Sequence, residues 1–198
     1  GAAPDARFAE QVPPELLVYL VDHADSLAPE LRAVWQAQGS KRTGSWPEVF
    51  GPDEAGQEVF MAWHFARFVE HVAAAGKTEH PLPMFVNAAL VRPGYRPGQY
   101  PSAGPLPHLI DVWRAAAPSI DFLAPDIYFP NFVEWTRRYT RGGNPLFVPE
   151  ALRSPDAAGN YSMIVKTGDA KAKQQLTIRT TGGLSAKALH VWRSTDGG

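Results

Sequence analysis

Asn144-Pro-Leu-Phe-Val-Pro-Glu150 is a short apolar run that ends in a carboxylate. Two runs of the same kind precede it, Pro83 to Leu90 and Ile120 to Phe129, with helix-patterned segments between the three. Apolar runs without alternation suit strands covered on both faces, as in parallel α/β sheets. The helix-to-strand connections are brief (Pro118-Ser119 and Gly142-Gly143-Asn144), whereas the strand-to-helix segment Val91 to Gly104 is long and carries Arg92, Tyr95, Arg96, Gln99 and Tyr100. Long loops after the strands and short ones before them are the asymmetry of a (β/α)8 TIM barrel, whose reaction face lies at the strand C-termini. A closed barrel needs about eight strands. Three runs therefore predict an α/β chain holding part of such a barrel, with Glu150 on its reaction face.

Upstream, residues 13 to 38 predict two short helices. Pro13-Pro14-Glu15 starts the first, with Leu16, Leu17, Leu20 and Val21 at helical spacing; Pro29 suits the first turn of the second, which Gly39 ends. A loop containing Trp46 and Pro47 leads to Asp53. Gln57 to Ala75 is the longest helical pattern, with Val59, Trp63, Ala66, Val69 and Ala73 along one face and Gly76 as its stop. Further helices are predicted over Leu106 to Ala116 and from Asn131-Phe-Val-Glu134, where the Asn side chain caps and the Glu returns the bond.

After Ser154-Pro155 the pattern changes. Tyr161 to Thr167, Gln175 to Thr181 and Ala188 to Ser194 are β-branched, roughly alternating runs separated by Gly168-Asp169 and Gly182-Gly183, which predicts a short antiparallel β segment. The expected boundary falls at residues 154 to 160, dividing the chain into residues 1–156 and a β-rich segment 157–198. From Asp156 onward the chain carries six Lys or Arg against three Asp, the balance of a solvated strand face.

Composition narrows the function classes. With 44% hydrophobic and 20% charged residues and a formal net charge of −1, neither a nucleic-acid nor a membrane partner is indicated. The absence of cysteine excludes disulfides, cysteine nucleophiles and thiolate metal sites, but does not decide the compartment. His64 and His71 stand seven apart, not at the spacing of four, with an intervening Glu, that a helical zinc motif uses. No P-loop, GxGxxG or GxSxG motif occurs, so nucleotide binding and serine hydrolysis are not expected, and neither a metal nor a cofactor is called for.

Five stretches carry a resemblance to a known family: Arg67-Phe-Val-Glu-His-Val-Ala-Ala-Ala-Gly-Lys77, Pro81-Leu-Pro-Met-Phe-Val-Asn-Ala-Ala-Leu90, Tyr100-Pro-Ser-Ala-Gly-Pro-Leu-Pro-His108, Ile120-Asp-Phe-Leu-Ala-Pro-Asp-Ile-Tyr-Phe-Pro130 and Asn144 to Glu150. Together they resemble the second half of the catalytic barrel of bacterial family 35 glycoside hydrolases, the β-galactosidase type, over Glu15 to Asp156. The resemblance implies strands five to seven of a retaining enzyme, with Glu150 as the nucleophile ending strand seven. It implies a β-galactoside as substrate and a periplasmic or secreted parent rather than a cytoplasmic one. The family's acid/base Glu belongs to an Asn-Glu pair ending strand four, which would precede residue 1, and no Asn-Glu dipeptide occurs in this chain. Downstream, Gly183-Leu-Ser-Ala-Lys-Ala-Leu-His-Val-Trp192 is similar to the β-sandwich appended to other members of the clan.

Retaining glycosidases use two carboxyl groups about 5 to 5.5 Å apart, and Glu150 suits the nucleophile. Its alternative is an ordinary acidic residue at a helix start. Asn87 ends the first run and either binds a sugar hydroxyl or caps a loop. Asp126 and Tyr128, two apart, share a strand face; the Tyr hydroxyl is placed to hold a neighbouring carboxylate ionised, or the two form a buried pair. Tyr95 and Tyr100 are candidates for stacking on sugar rings, and Arg92 for binding a hydroxyl. A non-catalytic carbohydrate-binding or interaction module is the competing function. Unpaired strand edges of a half-barrel would further favour self-association.

Overall fold

The computed structural model describes residues 2–92, 94–129, 131–151, 162–166, 173–177 and 191–193, the last three segments and residues 2–4 as backbone. Helices dominate. In chain order they are α1 (Ala2–Phe8), α2 (Pro14–Asp22), α3 (Pro29–Ala37), α4 (Trp46–Phe50), α5 (Glu54–Glu79), α6 (Ile110–Ala116) and α7 (Phe132–Tyr139). Among them run β1 (Phe85–Ala89), β2 (Phe122–Ile127) and β3 (Glu150–Ala151), and later β4 (Ser162–Lys166), β5 (Lys173–Thr177) and β6 (Val191–Arg193).

The helices form where the sequence starts and stops them. Pro14 and Pro29 occupy the first turns of α2 and α3, where a missing N–H costs nothing. Both helices turn their leucines inward, burying Leu16, Leu17, Leu20 and Leu31. The predicted loop at Trp46 is instead the single-turn α4, closed by the Glu48 carboxylate, which accepts from the Ser45 amide at 2.7 Å and its hydroxyl at 2.8 Å. Asp53 caps α5 by accepting from the Gly56 amide at 3.1 Å. The core lies between these helices: Trp46 meets Phe60 edge-on at 5.2 Å between ring centroids, and Trp63, Val112 and Trp113 are buried beside them.

Gly56 marks the closest approach in this helical layer. A Cβ there would lie 2.0 Å from the Gly51 carbonyl oxygen, and Gly51 itself holds φ +90. Gly56→Ala is therefore expected to lower stability by roughly 1–3 kcal/mol in urea unfolding, because the clash outweighs the better helix propensity of alanine.

The sheet corrects the barrel expectation. β1, β2 and β3 pair in that order, all parallel, and the sheet does not close: β1 and β3 each keep a free edge among the described residues. Among the described residues, seven α-helices and an open three-stranded parallel sheet are not strands five to seven of a (β/α)8 barrel. The physical reason is legible in β3. The apolar run from Pro145 was expected to form a full strand, but Pro145 and Pro149 lack the N–H that a ladder needs, and only Glu150 and Ala151 pair, with Asp126 and Ile127. Much of the apolar patterning read as a barrel's helical layer instead builds a core of helix on helix.

Three anchors fix α5 against the strand connections. Lys77 Nζ lies 2.6 Å from an Asp121 oxygen that also accepts the Met84 amide at 2.7 Å. Glu70 accepts both the amide and the hydroxyl of Ser119 at 2.8 Å. Arg67 donates to the Ala116 carbonyl at 3.2 Å. A further correction concerns α7: Asn131 does not cap it with its side chain but donates to Glu134 and accepts from the Trp135 indole.

β4, β5 and β6 form a separate sheet in that order, antiparallel throughout, with Gln175 opposite Trp192. The expected boundary at residues 154 to 160 lies outside the described residues. No helix among the described residues is long and apolar enough to cross a membrane.

Candidate functional site

Parallel register brings the strand ends together. Ala89 of β1 is level with Asp126 of β2, and Asp126 is level with Glu150 of β3. Neighbouring strands lie about 4.8 Å apart, so the three C-terminal ends form one short shelf. Side chains two apart share a face, which sets Asn87, Asp126 and Tyr128 on the same side of the sheet. Below them on that face, Phe85 stacks on Phe122 at 5.4 Å between centroids and Phe147 meets both edge-on.

Two polar pairs occupy the shelf. Asn87 donates from Nδ2 to Asp126 Oδ2 at 2.7 Å. Tyr128 donates its hydroxyl to Glu150 Oε2. Asp126 is 7% exposed, and its Oδ1 has no hydrogen-bond partner. Burial raises the Asp126 carboxyl above the usual aspartate range, and the Glu150 charge adds to this, while the Asn87 amide acts against it. The Tyr128 hydroxyl is also pushed up, chiefly by the hydrogen bond it gives to Glu150. Tyr128 therefore stays protonated and remains a donor to the carboxylate at neutral pH.

The other sequence candidates lie apart from these four. Among the described residues, neither Arg92 nor Tyr95 hydrogen-bonds to Asn87, Asp126, Tyr128 or Glu150; Tyr95 is exposed on the loop and its amide bonds the Arg92 carbonyl. Tyr100 turns to a different partner: its hydroxyl donates to Glu58 Oε1 at 2.8 Å.

Glu58 is a residue that sequence reasoning missed. It is 5% exposed in the second turn of α5. Besides Tyr100, it accepts from the Ala103 amide at 3.2 Å and faces His108 Nε2 at 2.8 Å, a nitrogen that must carry its proton to meet a carboxylate. Desolvation works to raise the Glu58 carboxyl, but His108, Tyr100 and the Ala103 amide together hold it below the usual range. Ala103, at φ +67, also offers its carbonyl to the Trp113 indole at 3.0 Å. The signal was a charged residue falling on the apolar stripe of α5, in step with Ala62 and Ala66. The result is a clasp that fastens the loop after β1 to the helix before it.

No protein-family model matches the chain, and no curated protein matches it.

Proposed function

We propose that this chain carries the nucleophile part of a retaining β-galactosidase-type glycoside hydrolase, acting on terminal β-galactosides through Glu150. The observation that supports the reading is the Tyr128 hydroxyl bonded to the Glu150 carboxylate at the end of adjacent parallel strands. An exposed carboxylate held in one orientation by a hydroxyl donor suits attack on an anomeric carbon. The carboxylate oxygen bonds to that carbon as the bond to the aglycone oxygen breaks, and the leaving oxygen takes a proton from an acid; water then hydrolyses the glycosyl ester.

The resemblance assigns that acid to an Asn-Glu pair, and no Asn-Glu dipeptide occurs in this sequence. Asp126 is too buried to reach a leaving group and serves instead to hold Asn87. Loss of general acid catalysis costs on the order of 10² to 10⁴ in rate, so natural galactosides are expected to turn over little or not at all. An activated leaving group departs as a stable anion without a proton. Incubation with 2,4-dinitrophenyl 2-deoxy-2-fluoro-β-galactoside is expected to add one fluorogalactosyl group to the peptide containing Glu150, detected by mass spectrometry. Glu150→Gln is expected to abolish labelling and Tyr128→Phe to slow it. Absence of label on the folded wild-type chain, or label elsewhere, removes Glu150 from the chemistry.

One observation favours binding without turnover. Glu150, Tyr128 and Asn87 are exposed on an unclosed face of the sheet, which does not exclude water from a reacting centre. Under that reading galactose binds saturably and Glu150→Gln leaves the affinity unchanged.

A further inference from the structure

We infer that the free edge of β1 is a docking site for an extended, uncharged peptide strand contributed by another polypeptide, received beneath α5. A cleft of about 340 Å³ runs beside β1, bordered by Val86, Asn87, Ala88 and Ala89. Successive side chains of a strand point to opposite faces. Four consecutive residues therefore border one cleft only if the strand's edge, with its main-chain N–H and C=O groups, opens into it. That edge has no strand partner among the described residues, because β1 pairs with β2 alone.

The cleft is built for a strand with apolar side chains. Phe65 and Phe68 of α5 line it, at 45% and 70% exposure, together with the buried Trp113. The loop wall is held by the Glu58 clasp through Tyr100 and Ala103, which flank Ser102 and lead directly into Gly104. None of the residues lining the cleft is charged, which selects an uncharged occupant. β1 also lacks the devices that normally blunt an edge: its sequence Phe85-Val-Asn-Ala-Ala89 has no charge and no proline, and its register with β2 is unbroken.

The same geometry disfavours a second copy of this chain. Edge-to-edge pairing of two β1 strands would bring two α5 helices, each roofing its own edge, into the same space. A stable dimer also buries about 800 Å² on each partner, whereas this cleft holds a few side chains. A single strand satisfies the edge by main-chain hydrogen bonds, places alternate apolar side chains against Phe65, Phe68 and Trp113, and turns the others outward beside Asn87.

The test uses the whole chain and the peptide acetyl-Lys-Thr-Val-Thr-Val-Thr-Val-Lys-amide, whose lysines lie beyond the central strand. Saturable binding is expected, with slowed amide hydrogen exchange in residues 85–89. A version of the peptide N-methylated at alternate residues is expected to lose binding, and Phe68→Ser to weaken it by about tenfold or more while leaving the circular dichroism unchanged. Equal binding by the methylated peptide, or unchanged exchange in β1 on saturation, would overturn the proposal. So would a dimer of the free chain in which the β1 amides are already protected, since the occupant would then be a second copy.

Discussion

Glu58→Leu is expected to lower the unfolding free energy by roughly 3–5 kcal/mol in urea at pH 7, the range for breaking a buried charged network by removing one partner. Leucine fills the space but accepts nothing. The Tyr100 hydroxyl, the Ala103 amide and the His108 Nε2 proton all lose their acceptor at once, and each buried unsatisfied group costs about 1–3 kcal/mol. Tyr100→Phe removes one bond and leaves the carboxylate with two donors, so a loss of about 1 kcal/mol is expected there. The pH dependence follows from the depressed Glu58 carboxyl. A group whose folded pKa lies below its unfolded value stabilises fully above the unfolded value, about 4.3 for glutamate, and loses that contribution as pH falls through the folded one. The gap between wild type and Glu58→Leu should therefore narrow as pH falls below about 4. A gap that is unchanged down to pH 3 would mean that the carboxylate's charge plays no part in holding the loop.

Local patterning was readable where the energetics are local. The prolines opening α2 and α3, the apolar face of α5 and the runs that contain β1 and β2 all lie within a few residues of the features that determine them. The shelf at the strand ends was legible in part for the same reason, since Asp126 and Tyr128 are two apart in one run and Glu150 ends another; Asn87, read as the end of the first run, is instead the central residue of β1. Closure of the sheet was not legible. An apolar run reads alike whether it faces another strand or a helix, so residues assigned to a barrel layer turned out to pack helix on helix. The proline content of the third run held the warning, because Pro145 and Pro149 leave little ladder to form. Glu58 and Asn144 were missed because their partners stand 42 to 50 and 21 residues away, a range at which spacing carries no information.

Asn144 determines whether the chain reaches Glu150 in register. The segment 145–149 makes no strand pairing of its own with β2, yet Glu150 arrives level with Asp126. Asn144 bridges the gap with its side chain: Oδ1 accepts the Leu123 amide at 3.0 Å and Nδ2 donates to the Leu123 carbonyl at 2.8 Å. The carboxamide thus mimics a peptide group of a neighbouring strand, and it is 5% exposed. Asn144→Ala leaves a buried N–H and a buried C=O without partners, and a loss of roughly 2–4 kcal/mol is expected. The Tyr128–Glu150 bond should weaken with it, seen as a lower tyrosine pKa for Tyr128 in a spectroscopic titration, because that bond is the main cause of its elevation. Asn144→Asp separates the two halves of the interaction. The carboxylate still accepts the Leu123 amide, but its second oxygen faces the Leu123 carbonyl and repels it. Only the protonated acid restores a donor, so the introduced carboxyl has a folded pKa above its unfolded value of about 3.9. Its favourable contribution is complete below that unfolded value and is lost as pH rises through the folded one. Stability relative to wild type should then recover as pH falls from 7 toward 4, the opposite direction to the acid loss at Glu58. If Asn144→Asp matches wild type at pH 7, the Leu123 carbonyl does not need the Asn144 donor, and the register of Glu150 must rest on other contacts.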